Sequence, residues 1–258
     1  MTVAAAGDTA SAAAEQDTLL FSVVPVATFV DGRALTHATG FLFAAAERLF
    51  LITSRHVLCD EPGDHHPDRI ELELHTDVNN LAATVRYSVP LYRDGRGLWI
   101  DAHDDGGAVD VAAIELERDR LPADAHIKPF NARHLPAAAD APGVGSSVLI
   151  VGFPLGFHDH LHRLPVVRQA VVASAYGLRF DGQGYFLTDA RTHRGTSGAP
   201  VVMRMPAGTE RFGDLPWLLL GIHAMRLDLC SRDLEQDEAL GLNCAWYSGV
   251  LPVLVRPR

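Results

Sequence analysis

The chain has 258 residues, of which 48% are hydrophobic and 21% charged, and 32 acidic against 22 basic side chains give it a net charge of −10. This composition is typical of a globular protein. Its apolar stretches fall short of the roughly 18 residues that a membrane-spanning helix needs. An acidic balance disfavours nucleic acid, whose binding depends on clustered lysine and arginine. We therefore expect neither a membrane span nor a nucleic-acid partner.

The cysteines and the N-terminal residues indicate the compartment. Cys59, Cys230 and Cys244 are odd in number and far apart, which does not suit a disulfide framework. Residues 1–16 lack the basic and apolar parts of a signal peptide, and we expect them to form a disordered or loosely attached arm. Both features favour the cytoplasm, although export by another route stays open.

Short β-rich segments, separated by Gly, Pro and Asp, recur along the whole chain, as in an all-β barrel or sandwich. A stretch rich in Ala, Pro, Gly and Ser at 135–147 divides them into two groups of six and is typical of a linker. We expect helical structure only in a short turn after Ser54 and in a terminal helix over 247–255, despite Pro252. The predicted strands are 19–30, 38–44, 49–53, 70–75, 84–91, 111–116, 148–153, 166–174, 185–188, 200–205, 217–225 and 242–245.

Three segments carry residues suited to nucleophilic catalysis. His56 follows an apolar strand, Asp110 opens another, and Ser197 lies in a glycine-rich turn. A serine hydroxyl attacks well only when an imidazole takes its proton, and the imidazole needs a carboxylate to orient it. A tight turn can also aim backbone N–H groups at a developing oxyanion. The sequence therefore predicts His56 as base, Asp110 as orienting group and Ser197 as nucleophile, with the amides of Gly195 and Ser197 as the oxyanion hole.

The order of these motifs, T-S-R-H-V, D-V-A-A-I and G-T-S-G-A-P-V, resembles the chymotrypsin-fold (PA clan) trypsin-like serine peptidases. The A-T-G-F strand and the V-G-F-P-L-G turn resemble bacterial Deg-type domains in particular, here without a PDZ module. The resemblance implies an all-β fold of two six-stranded antiparallel barrels with a short C-terminal helix. The peptidase domain would cover 17–258, with barrel one at about 17–135 and barrel two at about 146–258. It also implies a serine endopeptidase that needs no cofactor and cleaves proteins or peptides.

The resemblance breaks at two positions beside the nucleophile. Thr196 stands where activated trypsins carry an aspartate that pairs with a new N-terminus, so activation by N-terminal cleavage is not implied. Ala199 replaces the usual second glycine after the serine, and the two donor amides stay in place.

The resemblance also suggests a specificity pocket. Arg191, Thr192 and His223 fall at positions that line this pocket in the family. Thr192 with His223 resembles the pair that hydrogen-bonds a P1 Glu or Gln in glutamyl endopeptidases and picornavirus main proteases. A hydroxyl, an imidazole and a nearby guanidinium suit a carboxylate or amide. We expect a P1 preference for Glu, Asp or Gln. The alternative is that His223 is a core residue and Arg191 faces solvent.

Other polar clusters have plainer explanations. His158, His160 and His162 could share a strand face and bind a metal, but an exposed loop is favoured. Cys59-Asp60 with His65-His66 is also assigned to an exposed loop, so no metal site is predicted. The acidic stretch 228–238 is expected to be a solvated loop.

Two further hypotheses about the function of this chain remain open. The chain could be a protein-binding module whose active site is inactive. It could also be a latent protease that an activating partner protein switches on.

Overall fold

The computed structural model describes residues 18–205, 213–226 and 241–256. Within these ranges the chain is mostly β-strand, and its helices are all short. The expected arm at 1–16, Cys230 and the acidic stretch 228–238 lie outside the described residues.

The first half of the chain forms an eight-stranded sheet. Its hydrogen-bonded order is β5-β4-β1-β2-β3-β9-β8, with β10 pairing in parallel to β2. A separate two-stranded ribbon, β6 and β7, lies between β5 and β8 in sequence. The strands are β1 Val23–Val30, β2 Arg33–Ala45, β3 Arg48–Thr53, β4 Arg69–His75, β5 Thr84–Pro90, β6 Tyr92–Arg93, β7 Arg96–Gly97, β8 Trp99–Asp104, β9 Gly107–Leu116 and β10 Phe130–Asn131.

The second half forms a closed six-stranded barrel in which all neighbours are antiparallel. The order around the barrel is β11-β12-β13-β16-β15-β14, and β14 closes it by pairing with β11. Closure leaves no unpaired edge. The strands are β11 Ser147–Gly152, β12 Val166–Val172, β13 Tyr185–Asp189, β14 Pro200–Arg204, β15 Trp217–Arg226 and β16 Leu242–Tyr247.

The helical elements are single turns. The α-helices among the described residues are α1 Arg55–Leu58 and α2 Leu251–Leu254, and the terminal one is the short C-terminal helix that was expected. Pro252 is tolerated because it lies in the first turn, where its missing N–H has no helical acceptor. No helix among the described residues is long and apolar enough to cross a membrane. The described 3-10 helices are Thr18–Phe21, Arg118–Arg120, Ala132–His134, Ala138–Asp140, Pro154–Gly156 and Ser248–Val250.

All twelve predicted strands overlap an observed strand, but the architecture is only partly as expected. The six-stranded barrel is confirmed in the second half. In the first half the hydrogen bonds give an eight-stranded sheet instead of a closed barrel of six. The sequence missed β8 because only Ala102 of its six residues is buried, so its apolar signal is weak.

Three apolar clusters form the core of the described residues, and one of them joins the two halves. One fills the first sheet around Leu42, Leu51 and Ile70, and another fills the barrel around Ile150 and Phe186. The third combines side chains of both halves, and all are removed from water. Its larger members include Phe41, Phe43, Phe50, Phe130, Phe153, Leu219, Ile222 and Trp246. Because this shared cluster locks the halves against each other, residues at their junction keep a fixed geometry.

Candidate active site

The predicted base, His56, is placed by a buried strand and a single helical turn. Every residue of β3 after Arg48 is buried, and α1 begins two residues after the strand ends at Thr53. Val57 and Leu58 anchor the turn in the core. The side chain of His56 stays 31% exposed at the junction.

The predicted orienting group, Asp110, lies at an irregularity inside β9. Val109 pairs with Ala102 and Ala112 with Asp101, which leaves Asp110 and Val111 without partners on β8. Such bulges redirect side chains and are common beside active sites. The expectation that Asp110 opens its strand is wrong, because β9 already begins at Gly107. Asp101, His103 and Asp104 make β8 polar, so its pairing with the first residues of β9 was not predicted.

Asp110 holds His56 with both carboxylate oxygens. Oδ1 accepts the backbone N–H of His56 at 2.9 Å, and Oδ2 lies 2.7 Å from the ring Nδ1. A carboxylate can only accept, so Nδ1 carries the proton and Nε2 is left as an acceptor. The imidazole is thus fixed in the tautomer that can take a proton from a nucleophile.

The pKa of His56 is raised above its ordinary value of 6.5. Burial alone would lower it, but the hydrogen bond and the charge of Asp110 outweigh burial. The charge of Asp60 raises the pKa further, and that of Arg55 lowers it. His223 is also close enough to interact with the ring charge.

The nucleophile turn, residues 193–198, has the geometry of a type II turn. The N–H of Thr196 donates to the carbonyl of His193 at 3.2 Å, and Gly195 has φ +89°. That turn type needs a positive φ at its third residue, which favours glycine. A Cβ at this position would also lie 2.6 Å from the carbonyl oxygen of Phe153. Position 195 is therefore restricted to glycine by both strain and space.

The two amides that the sequence predicted for the oxyanion hole, those of Gly195 and Ser197, are available to a ligand. Thr196, Gly198 and Ala199 all donate their N–H groups to carbonyls within the protein. In the described part of the chain, the N–H groups of Gly195 and Ser197 have no acceptor. These are the two amides that the sequence predicted for the oxyanion hole.

The peptide that carries the Gly195 N–H is fixed from the opposite side. The N–H of Leu155 donates to the carbonyl of Arg194 at 2.5 Å. In a trans peptide the carbonyl and the N–H point in opposite directions, so this bond turns the Gly195 N–H away from Leu155. Leu155 adopts φ +55° to make the contact, a conformation that a leucine rarely adopts.

Thr39 links the first sheet to the nucleophile turn, a role that was not predicted from the sequence. Its hydroxyl donates to the carbonyl of Gly195 at 2.7 Å and accepts the N–H of Phe153 at 3.0 Å. Its own N–H donates to the carbonyl of Ser197 at 3.0 Å. All of Thr39 is buried.

Gly198 allows the first sheet to approach this closely. A Cβ there would lie 2.2 Å from the carbonyl oxygen of Thr39 and 2.3 Å from the hydroxyl of Thr53. Both positions are too close for any side chain, so position 198 requires glycine.

His56 and Ser197 line one cleft of about 580 Å³ at the junction of the halves, and Asp110 contacts His56 through the ring Nδ1. Ser197 is half-buried there. Within the described residues, no hydrogen bond joins its hydroxyl to His56. The cleft is lined by Thr36, His37, Ala38, His56, Val57, Asp60, Gly63, His65, Leu155, Arg194, Gly195 and Ser197.

The predicted specificity residues are placed differently from one another. Thr192 and His223 are only 4% and 2% exposed, whereas Arg191 is exposed. Thr192 donates its hydroxyl to Oδ1 of Asn243 at 2.5 Å. Burial, together with the nearby charge of His56, lowers the pKa of His223 to about 4, and its Nδ1 has no partner among the described residues.

The three-histidine segment forms a loop and does not share a strand face. His158 and His162 each bond a neighbour in the loop, the carbonyl of Gly156 and the carboxylate of Asp159 respectively, both at 2.7 Å. The described residues contain no metal-binding group that includes these histidines. The interpretation as a surface loop agrees with this placement.

A family model described as "Trypsin-like peptidase domain" matches residues 38–205, which is more than half of the chain. The chain belongs to the trypsin-like peptidase family. Family membership implies that proteins or peptides are the substrates of this peptidase domain. No curated protein matches the chain.

Solved structures with a similar fold include an HtrA-type protease, a serine endoprotease and an inactivated protease paralogue. The HtrA-type protease AlgW with a tripeptide is 15% identical with a TM-score of 0.51, covering 94% of this chain and 63% of that one. The serine endoprotease from Yersinia pestis is 16% identical with a TM-score of 0.51, covering 96% and 66%. A scabies mite inactivated protease paralogue is 20% identical with a TM-score of 0.55, covering 91% and 92%. At such identities the likeness shows the fold alone, and this peptidase domain spans less than two thirds of the first two proteins.

The role of Thr39 is tested by removing its hydroxyl. Thr39→Val leaves the Gly195 carbonyl and the Phe153 N–H unpartnered in the core. We expect a loss of about 1–3 kcal/mol in the free energy of unfolding. We also expect a fall of roughly tenfold or more in the rate at which a fluorophosphonate labels Ser197. Thr39→Ser keeps the hydroxyl and should behave as wild type. A destabilised Thr39→Val protein that reacts at the wild-type rate would contradict a positioning role.

The charge of Asp60 is expected to set where His56 titrates. Only neutral His56 can accept a proton, so the labelling rate should rise with pH through a transition above 6.5, the ordinary histidine value. Asp60→Asn removes a negative charge that stabilises the imidazolium, so the transition should move to lower pH. Asp64→Asn removes a charge from the same loop and should leave the transition in place. The measurement is the pH profile of labelling, in a buffer that contains a chelator. A profile that Asp60→Asn leaves unchanged would refute this electrostatic role.

Proposed function

We propose that the chain is a serine endopeptidase that hydrolyses peptide bonds through an acyl-enzyme on Ser197. The observation that carries the proposal is the pair of hydrogen bonds that His56 donates to Asp110, at the cleft that also contains Ser197. It leaves Nε2 of the histidine as the free base. The N–H groups of Gly195 and Ser197, which have no acceptor among the described residues, can stabilise the oxyanion that forms in the reaction.

In acylation, Oγ of Ser197 attacks the scissile carbonyl carbon while Nε2 of His56 takes the hydroxyl proton. The carbonyl oxygen becomes negative and accepts the N–H groups of Gly195 and Ser197. Asp110 stabilises the imidazolium that has formed. When the tetrahedral intermediate collapses, the C–N bond breaks and His56 gives its proton to the leaving amine.

In deacylation, water replaces the amine as the reacting group. His56 takes a proton from this water, whose oxygen attacks the ester carbonyl, and the same two amides hold the second oxyanion. Collapse breaks the bond to Ser197, and the proton on His56 returns to Oγ. The products are a carboxylic acid and the free enzyme, so no cofactor is needed.

The second candidate is a protein-binding module on the same fold, inactive or awaiting an activating partner. It is supported by the missing hydrogen bond between Ser197 and His56 within the described residues. It is also supported by a structural neighbour that is named an inactivated protease paralogue. Catalytic hydrogen bonds often tighten only when substrate binds, so we favour the enzyme.

The two candidates differ in whether Ser197 reacts. We expect wild-type protein alone to form one fluorophosphonate adduct, located on Ser197 by mass spectrometry. Ser197→Ala should give none, and Asp110→Asn should slow labelling by roughly 10⁴-fold, because the imidazole loses its orienting carboxylate. Ser88→Ala, at an exposed serine of β5, is the matched control and should label normally. Absence of an adduct on wild type, where a control protease labels, would reject the enzyme in favour of the binding module.

For specificity, we propose that His223 and Thr192 recognise the P1 side chain. Nδ2 of Asn243 donates to the carbonyls of Ala190 and Gly241, so its Oδ1 must accept the Thr192 hydroxyl. The oxygen of Thr192 is therefore left as an acceptor. His223 is neutral at physiological pH and has an N–H to donate.

This donor and acceptor pair selects within the expected set of Glu, Asp and Gln. A glutamine side chain can accept the His223 N–H and donate its own N–H to Thr192. A carboxylate can use only the first contact, unless the exposed Arg191 supplies a second. The contacts therefore favour Gln at P1.

A peptide library that varies P1 tests this specificity. We expect wild type to cleave best after Gln, followed by Glu, and we expect His223→Leu to lose that preference while still being labelled on Ser197. Arg191→Gln should reduce cleavage after Glu more than cleavage after Gln. Strong cleavage after Leu or Ala, with none after Gln or Glu, would refute the polar pocket without refuting the peptidase.

A further inference from the structure

The Cys59–His66 loop, which follows α1, is held closed by its own backbone. Asp60 and His65 form a reciprocal pair, each donating its N–H to the other's carbonyl at 3.0 Å. The ring Nε2 of His65 lies 3.1 Å from the carbonyl of Val57, which anchors the loop to α1. The ends of the loop are thus fixed by the protein alone, and their side chains are brought to one place.

Three side chains of this loop converge as a set of metal ligands. One possible ligand atom from each of Cys59, Glu61 and His66 lies within 4.8 Å of the others. The sulfur of Cys59 is 3.9 Å from Nδ1 of His66. Tetrahedral zinc with ordinary bond lengths places a sulfur and a nitrogen roughly 3.5 Å apart, so a small adjustment suffices. Among the described residues this is the only such group.

A fourth residue supports the orientation of the histidine. Nε2 of His66 lies 3.7 Å from a carboxylate oxygen of Asp64, while Nδ1 faces the thiol of Cys59. Histidines that bind metals usually hold a carboxylate or carbonyl with the second ring nitrogen. The His66 ring therefore presents Nδ1 to the thiol of Cys59 and Nε2 to the side of the Asp64 carboxylate, which could close onto it when an ion binds.

We propose that Cys59, Glu61 and His66 bind a zinc ion, with water as the fourth ligand. A thiolate, an imidazole and one carboxylate form a donor set that suits Zn²⁺ and does not suit Mg²⁺ or Ca²⁺, which prefer oxygen alone. As the Zn–S bond forms, the thiol of Cys59 releases its proton to solvent. His66 binds as the neutral ring through Nδ1, and its Nε2–H faces Asp64.

The ion would fix one wall of the cleft. Asp60, Gly63 and His65, which lie between the ligands in sequence, line the same cleft as His56 and Ser197. An ion bound to both Cys59 and His66 would hold this segment at both ends. The site is separate from the triad and does not depend on peptidase activity, so it can be tested on an inactive protein.

The test uses the full chain carrying Ser197→Ala, reduced and freed of metal. Co²⁺ is the spectroscopic probe, because a cobalt thiolate gives a charge-transfer band in the near ultraviolet and a tetrahedral site gives intense visible bands. Zn²⁺ affinity is measured by competition with a chromophoric chelator. We expect one equivalent of either metal, a cobalt thiolate band, and displacement of Co²⁺ by Zn²⁺.

Variants assign the ligands. Cys59→Ser should abolish the charge-transfer band, and Cys59→Ser and His66→Gln should each weaken zinc binding by roughly 100-fold or more. Asp64→Asn should weaken it by roughly 10-fold, as expected of an outer carboxylate. His160→Gln, Cys230→Ser and His56→Ala should bind as the parent does, and circular dichroism should show that every variant is folded.

Three results would overturn the zinc site. The first is no cobalt thiolate band and no zinc binding below about 100 µM. The second is stoichiometric binding that survives both Cys59→Ser and His66→Gln. The third is binding that any of the three control variants removes, since the ion would then occupy the triad, the 157–164 loop or Cys230.

Discussion

The buried hydroxyl of Thr39 is the interaction on which the rest of the active site depends. The first sheet supplies the base and its carboxylate, while the barrel supplies the nucleophile and the two free amides. Thr39 belongs to the sheet, yet it bonds the backbone of Gly195, Ser197 and Phe153 in the barrel. Because its hydroxyl donates once and accepts once, neither valine nor alanine can replace it. Thr39 thus holds the base and its carboxylate, which the first sheet supplies, in place against the nucleophile turn of the barrel.

Most strands could be predicted from the sequence because their buried apolar side chains follow simple patterns. β4 alternates Ile70, Leu72 and Leu74 inward with glutamates outward, and β3 is buried along nearly its whole length. β8 could not be read in this way, since its pairing is made by the backbone and only one of its side chains is buried. The closure of a barrel is likewise a property of hydrogen bonds between distant strands, which no local pattern encodes. For that reason the sequence led to the prediction of a barrel in the first half, where the structure has a sheet.

The site was predictable where side chains do the chemistry and hidden where the backbone does. His56, Asp110 and Ser197 stand in recognisable motifs, and the structure brings all three to the same junction. The supports of the nucleophile turn carry no such signal. The contact from Leu155 uses only its N–H, and the contacts from Thr39 use its hydroxyl and its N–H. The Cys59–His66 loop looked like a surface turn because the sequence cannot say which way its side chains face.

Because the first sheet lies so close to Gly198, positions 198 and 199 differ in the mutations that each can accept. A side chain at 198 would collide with backbone and hydroxyl oxygens of the sheet at once, and neither can move without parting the two halves. Ala199, one residue on, is buried and carries a methyl group. Position 199 therefore has room for a methyl group, whereas a viable change at 198 would need a compensating change in β2 or β3 first. The order in which such mutations could arise is dictated by two oxygen atoms in the opposite sheet.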